Sequence, residues 1–362
     1  MRNIKFILSI LLLLLLIQCE KESEMVIVSD TNFLNALIEL NIDTDGDSII
    51  SPVEAEEISH LDVSGKNISD LSGIQLFLNL DTLICYSNQL TKLDLLKNTK
   101  LKYIHCWDNQ ITNLDISNCP DLNVLLCPSN QLSELEISNC IKLEWLMCCQ
   151  NQLTDLDVSN NTSIKSFDCS TNHLTALNIS NNTTLSSLMF ARNQLTSLDV
   201  SSNTQLKVLF ASENQISSLD ISNAVILKDF HCHENLLTEL DVSNNIALED
   251  ILCQNNNLTA LDVSNNPYIK FLDCSDNDIT ELDVANNVAL ENFYCSGNQL
   301  VSLDISNNKA IGTNEHYCCA ALDISRMPSL YEVCVWTIPF PPEGILVNTT
   351  GSPNVFFTAD CN

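Results

Sequence analysis

The chain has 362 residues, of which 45% are apolar and 6% are aromatic, and it carries 46 acidic against 16 basic residues. This length suits two ordinary domains or one long repeat array, and the apolar content is sufficient to form a core. The formal net charge of −30 repels phosphate backbones and anionic lipid head groups, which argues against a nucleic-acid-binding protein.

Residues 1–18 have the pattern of an export signal rather than of folded structure. Arg2 and Lys5 give a basic start, and the apolar run at residues 7–17 is too short for an ordinary membrane span. The run ends in Leu-Ile-Gln before Cys19, which resembles a lipoprotein box with glutamine in place of the usual small residue. The resemblance implies cleavage before Cys19 and lipidation of that cysteine. An ordinary secretory signal is the alternative.

Residues 19–24 follow as a short acidic tether that contains Glu20, Glu22 and Glu24. An acidic stretch directly after an acylated cysteine resembles the surface-export tag of some Gram-negative lipoproteins. The resemblance implies a protein that is lipid-anchored in the bacterial outer membrane and displayed at the cell surface. The rest of the sequence has no second apolar stretch long enough to cross a membrane.

Residues 25–60 are predicted to form a helical N-terminal cap with one metal-binding loop. Its sequence DTDGDSIISPVE, at residues 43–54, resembles an EF-hand calcium loop. Ser48 departs from the pattern, because the family has glycine at that left-handed turn and serine costs about 1 kcal/mol there. The resemblance implies a structural Ca²⁺ ion, and the alternative is an acidic capping loop that once bound calcium. The implied ligands are oxygen atoms of Asp43, Asp45, Asp47, Ile49 (its main-chain carbonyl), Ser51 and Glu54.

A short, strict repeat dominates residues 61–311, and its clearest mark is an asparagine at every twenty-first position. The recurring asparagines are Asn88, Asn109, Asn130, Asn151, Asn172, Asn193, Asn214, Asn235, Asn256, Asn277 and Asn298. A cysteine column runs three residues ahead of them, from Cys85 to Cys295, and is interrupted at Phe190 and Ala211. So many copies in register indicate a repeat architecture, in which each unit buries its apolar face against its neighbours.

One unit, residues 101–117, reads LKYIHCWDNQITNLDIS, and its first part resembles the leucine-rich-repeat signature. The second part of the units, with letters such as LDVSNN, resembles the nested half-repeat of short bacterial leucine-rich repeats of the internalin type. The resemblance covers about residues 61–336. Leucine, isoleucine and cysteine at alternate positions point inward from one strand, and stacked asparagine amides satisfy turn backbone groups from coil to coil.

A coil as short as this repeat has no room for a full helix on its far side, so its second arm is predicted to be a short extended segment. The predicted fold is therefore a β-rich solenoid, a leucine-rich-repeat rod of about 13 coils with two parallel strand stacks and little helix outside the N-terminal cap. Residues 312–362 lose the period and are rich in proline, so they are predicted to form the last irregular repeat and the C-terminal cap.

The outward face of the first strand stack carries the candidate binding site. Its side chains are aromatic or aliphatic in the early coils, whereas the coil with Ser166 and Asp168 is polar. A contiguous apolar patch is unusual on a soluble surface, and aromatic anchors on a rigid sheet are typical of binding hot spots. Cover by the N-terminal cap, lateral packing and a dimer contact are the alternatives. The predicted partner-binding residues are Ile84, Tyr86, Tyr103, His105, Trp107, Leu126, Trp145 and Met147.

An acidic residue occupies the second arm of nearly every coil, as at Asp94, Asp115 and Glu136. In-register carboxylates repel one another. We therefore expect each to accept hydrogen bonds from its own turn, and a row of weak cation sites is the alternative. His231 and His233 are expected to be outward-facing and solvated, with a weak metal site as the alternative.

The column cysteines are expected to be buried thiols, because neighbouring cysteines on parallel strands have poor bridging geometry. Cys334 and Cys361, together with Cys318 and Cys319, are better candidates for a disulfide in the C-terminal cap, with the connectivity left open.

The leading functional hypothesis is a cell-surface interaction module that binds a protein or glycan through its strand face, in adhesion or recognition. The alternative is a structural envelope lipoprotein whose aromatic patch mediates self-association. We expect no catalytic residues, no small-molecule substrate and no nucleic-acid partner, because a repeat array gives every coil nearly the same chemistry and no coil concentrates a nucleophile, a base and an oxyanion donor.

Overall fold

The computed structural model describes residues 27–313 and 320–361. The predicted signal, the lipidation site Cys19 and the acidic tether lie outside the described residues, as do Cys318 and Cys319.

The N-terminal cap contains two short helices. The first, α1, spans Thr31–Glu39 and begins at Asp30, whose carboxylate accepts hydrogen bonds from the amides of Asn32 and Phe33 at 2.8 and 3.0 Å. The second, α2, spans Pro52–Glu56 and is closed by a capping box. The other carboxylate oxygen of Asp30 accepts from the amides at positions 69 and 70, and this ties α1 to the first coil.

Short strands, all of them parallel to their partners, make up most of the remaining regular structure, together with one 3₁₀ turn at Ile74–Leu76. The strands are β1 (His60–Asp62), β2 (Thr82–Ile84), β3 (Lys92–Asp94), β4 (Tyr103–His105), β5 (Asn113–Asp115), β6 (Val124–Leu126), β7 (Trp145–Met147), β8 (Ser166–Asp168), β9 (Ser187–Met189), β10 (Val208–Phe210), β11 (Asp229–His231), β12 (Asp250–Leu252), β13 (Phe271–Asp273), β14 (Asn292–Tyr294), β15 (Ser302–Asp304), β16 (Leu322–Asp323), β17 (Glu332–Cys334), β18 (Val347–Asn348) and β19 (Phe356–Thr358).

One sheet of 14 strands runs the length of the molecule, with one strand from each coil, and it excludes only β3, β5, β15, β17 and β19. Its register follows the sequence period, so that Leu125, Leu146 and Phe167 are direct partners on successive strands. The predicted parallel β-solenoid with little helix is thereby confirmed.

The second arm is regular sheet only near its ends. There β3 pairs with β5, and β15, β17 and β19 form a sheet of three strands. Between these, the described coils contribute one isolated bridge, Asp241 with Asp262. Side chains join the turns of neighbouring coils instead, as where Asn181 Nδ2 donates to the Ser159 carbonyl at 3.1 Å. The inward leucines of this arm are buried, except that Leu177 and Leu282 are partly buried, so the core is closed on both sides.

The repeated asparagines form the predicted ladder. Asn172, for example, donates from Nδ2 to the carbonyls of Cys148 and Cys169 at 3.1 and 3.0 Å, and its Oδ1 accepts from the Leu153 amide at 2.9 Å. The column cysteines beside it are fully buried, and burial raises the pKa of the Cys106 thiol to about 12. Each buried leucine of the stack stabilises the fold by roughly 1.5–3 kcal/mol relative to an exposed one.

A second asparagine column, which the sequence argument missed, lies in the turn before the long sheet. Asn182 donates from Nδ2 to the carbonyls of Val158 and Asn161 at 3.0 and 2.9 Å. Its Oδ1 is buried and has no hydrogen-bond partner among the described residues, and the same is true of the equivalent atoms in seven other coils. The side-chain amides of this column therefore donate hydrogen bonds through Nδ2 but accept none through Oδ1.

The C-terminal cap is fastened by two long-range contacts. Cys334 and Cys361 form a disulfide with a Cα–Cα distance of 5.7 Å. Arg326 donates to both carboxylate oxygens of Asp276, two coils away, at 2.7 Å each. Gly297 lies between them with φ +70°, and a Cβ at this position would overlap the Asp276 carboxylate. Glycine is therefore required for the arginine to reach its partner.

Candidate binding face

The predicted partner-binding residues come together on the outward face of the long sheet. Ile84, His105, Leu126 and Met147 are direct partners on the adjacent strands β2, β4, β6 and β7. Tyr103 and Trp145 lie in the parallel outward column of the same strands, and Tyr86 and Trp107 follow the ends of β2 and β4. All eight residues, which we call the aromatic patch, therefore share one continuous surface.

Stacked rings order the centre of the aromatic patch. The imidazole of His105 lies 4.7 Å from the ring of Tyr86 and 6.4 Å from that of Trp107, with an interplanar angle of 12° to the indole. Tyr103 approaches the same imidazole edge-on at 6.4 Å. Burial lowers the pKa of His105, whereas the charge of Asp62 acts in the opposite direction. Burial therefore favours the neutral imidazole at the centre of the patch.

The rim of the patch is open to solvent. Trp107, Trp145 and Met147 are 47%, 54% and 38% exposed, whereas the other members are half-buried. The patch ends at β8, where Ser166 and Asp168 take the outward positions. Three large apolar side chains thus stand on a hydrogen-bonded sheet with no cover from the described part of the N-terminal cap.

A second cluster, further along the same face, differs from the expectation of solvated histidines. His231 stacks on Phe210 of the adjacent strand, with centroids 4.0 Å apart and planes 3° from parallel. Burial and the neighbouring His233 lower the pKa of His231 to about 4. His233 shares a hydrogen bond of 2.8 Å between its Nδ1 and Ser212 Oγ. The prediction of solvated histidines is wrong for His231, because its spacing of one full repeat from Phe210 makes the two side chains direct neighbours on adjacent strands.

Three carboxylates lie on the same stretch of the long sheet as this second cluster, on β11, β12 and β13. Burial raises the pKa of Asp229, Asp250 and Asp273, and the charges of Glu249 and Asp229 add to the effect at the first two. Among the described residues, the groups of side chains close enough to share a cation are Asp43–Asp45–Asp47 and Asp304–Cys334–Cys361, and the two cysteines of the second group are already joined in a disulfide. Neither group includes a histidine, so the geometry does not favour a histidine metal site.

The acidic column of the second arm makes the hydrogen bonds expected of turn residues. Asp157 accepts from the amide of Ser159 at 2.8 Å, and bonds from Ser159 hold the pKa of this carboxyl below its ordinary value. The same bond from the residue two positions later recurs along the column from position 94 to position 304. A shallow groove of about 650 Å³ runs across the second arms of three successive coils around Leu135, and carboxylates of this column line it.

The EF-hand-like loop gathers three of its predicted ligands. Carboxylate oxygens of Asp43, Asp45 and Asp47 lie within 4.8 Å of one another. Ser48 takes the left-handed conformation that the pattern requires, with φ +64°. Glu54 lies outside this group, since its two oxygens accept from the amides of Thr44 and Ser51 at 2.7 and 2.9 Å.

These hydrogen bonds of Glu54, first from Ser51 and then from Thr44, lower its pKa to about 2. The side chain of Ser51 accepts from the Glu54 amide, which completes the capping box of α2. Ile50 is buried beside the loop, whereas Ile49 is exposed. The donor set and the backbone thus fit a hard cation that prefers oxygen ligands.

Among the described residues, no helix combines the length and the apolar character that crossing a membrane requires. A scan against protein-family models found no match, and a search of curated proteins found none either.

Solved structures, in contrast, match most of the chain. The functional domain of InlJ from Listeria monocytogenes, which is described as including a cysteine ladder, is 32% identical, with 79% of this chain and 70% of that chain covered and a TM-score of 0.69. The internalin InlF from Listeria monocytogenes is 21% identical over 92% of this chain and 96% of that one, with a TM-score of 0.70. YopM from Yersinia enterocolitica is 22% identical over 91% and 72%, with a TM-score of 0.62. The last two likenesses concern the fold alone.

Proposed function

This chain belongs to the internalin-type leucine-rich-repeat proteins, and from that premise we propose that it is a non-enzymatic recognition module that binds a protein or glycan partner through the aromatic patch. The sheet supplies a rigid platform, and the rings supply the contact area. A repeat array of this kind presents nearly the same chemistry in every coil, which favours binding over catalysis.

The observation that carries the proposal is the exposure of Trp145 on strand β7 and of Trp107 just after strand β4. Apolar side chains of this size on a soluble surface are stabilised when a partner removes them from water, by roughly 25 cal/mol per Å² of apolar area. The indole of Trp107 is already stacked beside His105, so less side-chain entropy is lost there on binding. Aromatic side chains of this kind dominate the energetics of many interfaces.

A binding screen tests the proposal. Residues 20–362, which include every residue that the structure describes, are displayed on beads and exposed to a glycan panel and to envelope extracts. The double variant Trp107→Ala, Trp145→Ala is expected to lose the binding signal. The matched control, Tyr331→Ala, Phe356→Ala, removes two aromatic side chains of similar exposure from the C-terminal cap and should bind normally. Binding that survives in the tryptophan variant would refute the proposal.

Self-capture that only the tryptophan variant abolishes would instead favour the structural alternative, in which the patch joins copies of this protein in the envelope. Concentration-dependent sedimentation of the two variants separates this outcome from capture of a different partner.

We also propose that the protein is a lipoprotein of the bacterial cell surface, anchored through Cys19. The support is the sequence pattern at residues 1–24. The variant Cys19→Ser is expected to leave the membrane fraction, and intact cells should then lose the surface signal in antibody labelling. Retention of the variant in the membrane would refute the lipid anchor.

The loop at residues 43–54 is proposed to hold a structural Ca²⁺ ion. Asp43, Asp45 and Asp47 would provide carboxylate oxygens, and Glu54 would join them after giving up its hydrogen bonds to Thr44 or Ser51. The main-chain carbonyl of Ile49 and the hydroxyl of Ser51 would complete the proposed set of ligands. The ion would offset part of the negative charge of the loop and fix α2 to the preceding chain.

Calcium is expected to raise the melting temperature of the chelated protein, since a ligand that binds only the folded state stabilises it. The variant Asp45→Asn, Asp47→Asn should lose this shift. The control Asp157→Asn, Asp199→Asn makes the same charge change in the acidic column and should keep it. No shift at millimolar calcium in the unaltered protein would show that the loop is vestigial. Loss of the shift in the control would place the cation in the acidic column.

A further inference from the structure

A stripe of exposed apolar side chains lies outside the aromatic patch, on the turn that leads into the long sheet. In each coil, two residues lie between the second-column position and the next buried leucine or isoleucine, and in four successive coils both are apolar. Val225, Ile246, Tyr268 and Val288 are 48%, 57%, 62% and 57% exposed. The members of this apolar stripe are Val225, Ile226, Ile246, Ala247, Pro267, Tyr268, Val288 and Ala289.

The fold itself does not require these side chains. The equivalent positions of the three preceding coils begin with Thr162, Thr183 and Thr204, which are exposed and polar. The same turn is formed in those coils, and the same leucine or isoleucine is buried behind it. On a chain with a net charge of −30, four coils of uncharged apolar surface therefore indicate a contact rather than a structural need.

A row of charged residues borders the stripe, one in each of the same four coils. The row reads Lys228, Glu249, Lys270 and Glu291. Within the chain, Lys228 and Lys270 both pair with Glu249, at 2.5 and 2.7 Å. Glu291 has no ion-pair partner among the described residues. Each lysine and glutamate is at least partly exposed, so the row remains available to a second molecule.

The order of charges in this row is complementary to its own reverse, since a lysine at one position corresponds to a glutamate at the other. A two-fold axis that crosses the rod between the coils of Ile246 and Pro267 places two copies face to face and antiparallel. Lys228 then faces Glu291 of the second copy, and Glu249 faces Lys270. The same axis passes through the centre of the apolar stripe, where Ile246 faces Pro267. Opposite charges meet at all four positions, and apolar side chains meet at the four stripe positions beside them.

We propose that the apolar stripe is the interface of an antiparallel homodimer of this chain. A partner with a different sequence needs no such symmetry, whereas an isologous interface does. The stripe spans four coils at roughly 4.8 Å each, which is too short to bury the roughly 800 Å² per partner of a standard interface. The dimer is therefore weak and reversible. It also leaves the aromatic patch, which is on another face, available for a partner.

Sedimentation equilibrium of residues 20–362 over a wide range of protein concentration tests the proposal. The unaltered chain is expected to change from monomer to dimer. Ile246→Glu, which buries a carboxylate at the centre of the interface, should weaken the dimer by about tenfold or more. Thr183→Glu makes the same charge addition at the equivalent position of a polar coil and should dimerise normally. Circular dichroism confirms that both variants are folded.

A charge exchange tests the antiparallel register. Lys270→Glu places two glutamates opposite each other across the axis and should weaken the dimer at low salt. The double variant Glu249→Lys, Lys270→Glu restores opposite charges across the axis and should recover the affinity. A chain that remains monomeric at millimolar concentration would overturn the proposal. So would a dimer that is insensitive to Ile246→Glu, or one that the variant Trp107→Ala, Trp145→Ala abolishes.

Discussion

The two asparagine columns should differ sharply in their contribution to stability, although both are buried. Asn172→Ala removes the Oδ1 that accepts from the Leu153 amide at 2.9 Å, and this amide has no other acceptor among the described residues. Asn182→Ala removes only the two Nδ2 donations to Val158 and Asn161, because its Oδ1 has no partner. The two truncations therefore differ chiefly in the Leu153 amide, which only Asn172→Ala leaves without an acceptor.

The magnitudes follow from the groups that each substitution leaves behind. Each hydrogen bond lost to a carbonyl costs about 0.5–1.5 kcal/mol, and a buried N–H group without an acceptor costs about 1–3 kcal/mol. Asn172→Ala should therefore lower the free energy of unfolding by about 4 kcal/mol. Asn182→Ala should lower it by about 2 kcal/mol, since the carbonyls of Val158 and Asn161 keep their backbone donors. Relief of the unpaired Oδ1 reduces this second cost further.

The sequence already contains replacements in agreement with this ranking. Cys119, Cys140 and Ala224 occupy the second column in three coils, whereas the first column is asparagine in every repeat from position 88 to position 298. Urea unfolding of both variants, monitored by circular dichroism and by tryptophan fluorescence, measures the difference. Equal destabilisation, or a larger loss for Asn182→Ala, would refute the assignment of the stability difference to the Leu153 amide.

Three further outcomes follow from the same structure. Gly297→Ala should lower the free energy of unfolding by more than about 1 kcal/mol, the cost of a left-handed alanine, because the added Cβ displaces Asp276. Gly65→Ala is the control in urea unfolding, since Gly65 has φ +64° but open space around it. Cys106, with its buried thiol and a pKa of about 12, should resist alkylation at pH 8 until the protein unfolds, and rapid labelling of the native protein would contradict its burial. His231 should titrate near pH 4 by NMR. Because its folded pKa lies below the unfolded value, it should reduce stability as the pH falls from about 6.5 to 4, and His231→Leu should flatten that part of the stability profile.

The sequence by itself determined the coil. A short, strict period, with inward leucine and cysteine and an invariant asparagine, fixes a strand, a turn and the direction of every side chain. The same period fixes which residues are neighbours on adjacent coils. This spacing accounts for the long sheet, the first asparagine ladder, the buried cysteine column and the continuity of the aromatic patch. Each of them depends only on contacts between one coil and the next.

Only the tertiary structure decided features that depend on side-chain packing or on breaks in the period. The second arm forms regular sheet only near its ends, and in the middle coils side-chain hydrogen bonds join neighbouring turns instead. The ring of Phe210 stacks on His231 and shields it from solvent. Arg326, which follows an irregular repeat, pairs with Asp276 two coils away. Pairing of Cys334 with Cys361 likewise required the cap to be folded. A repeating sequence specifies spacing along the rod, whereas burial and long-range contacts depend on how the side chains and the irregular ends pack against it.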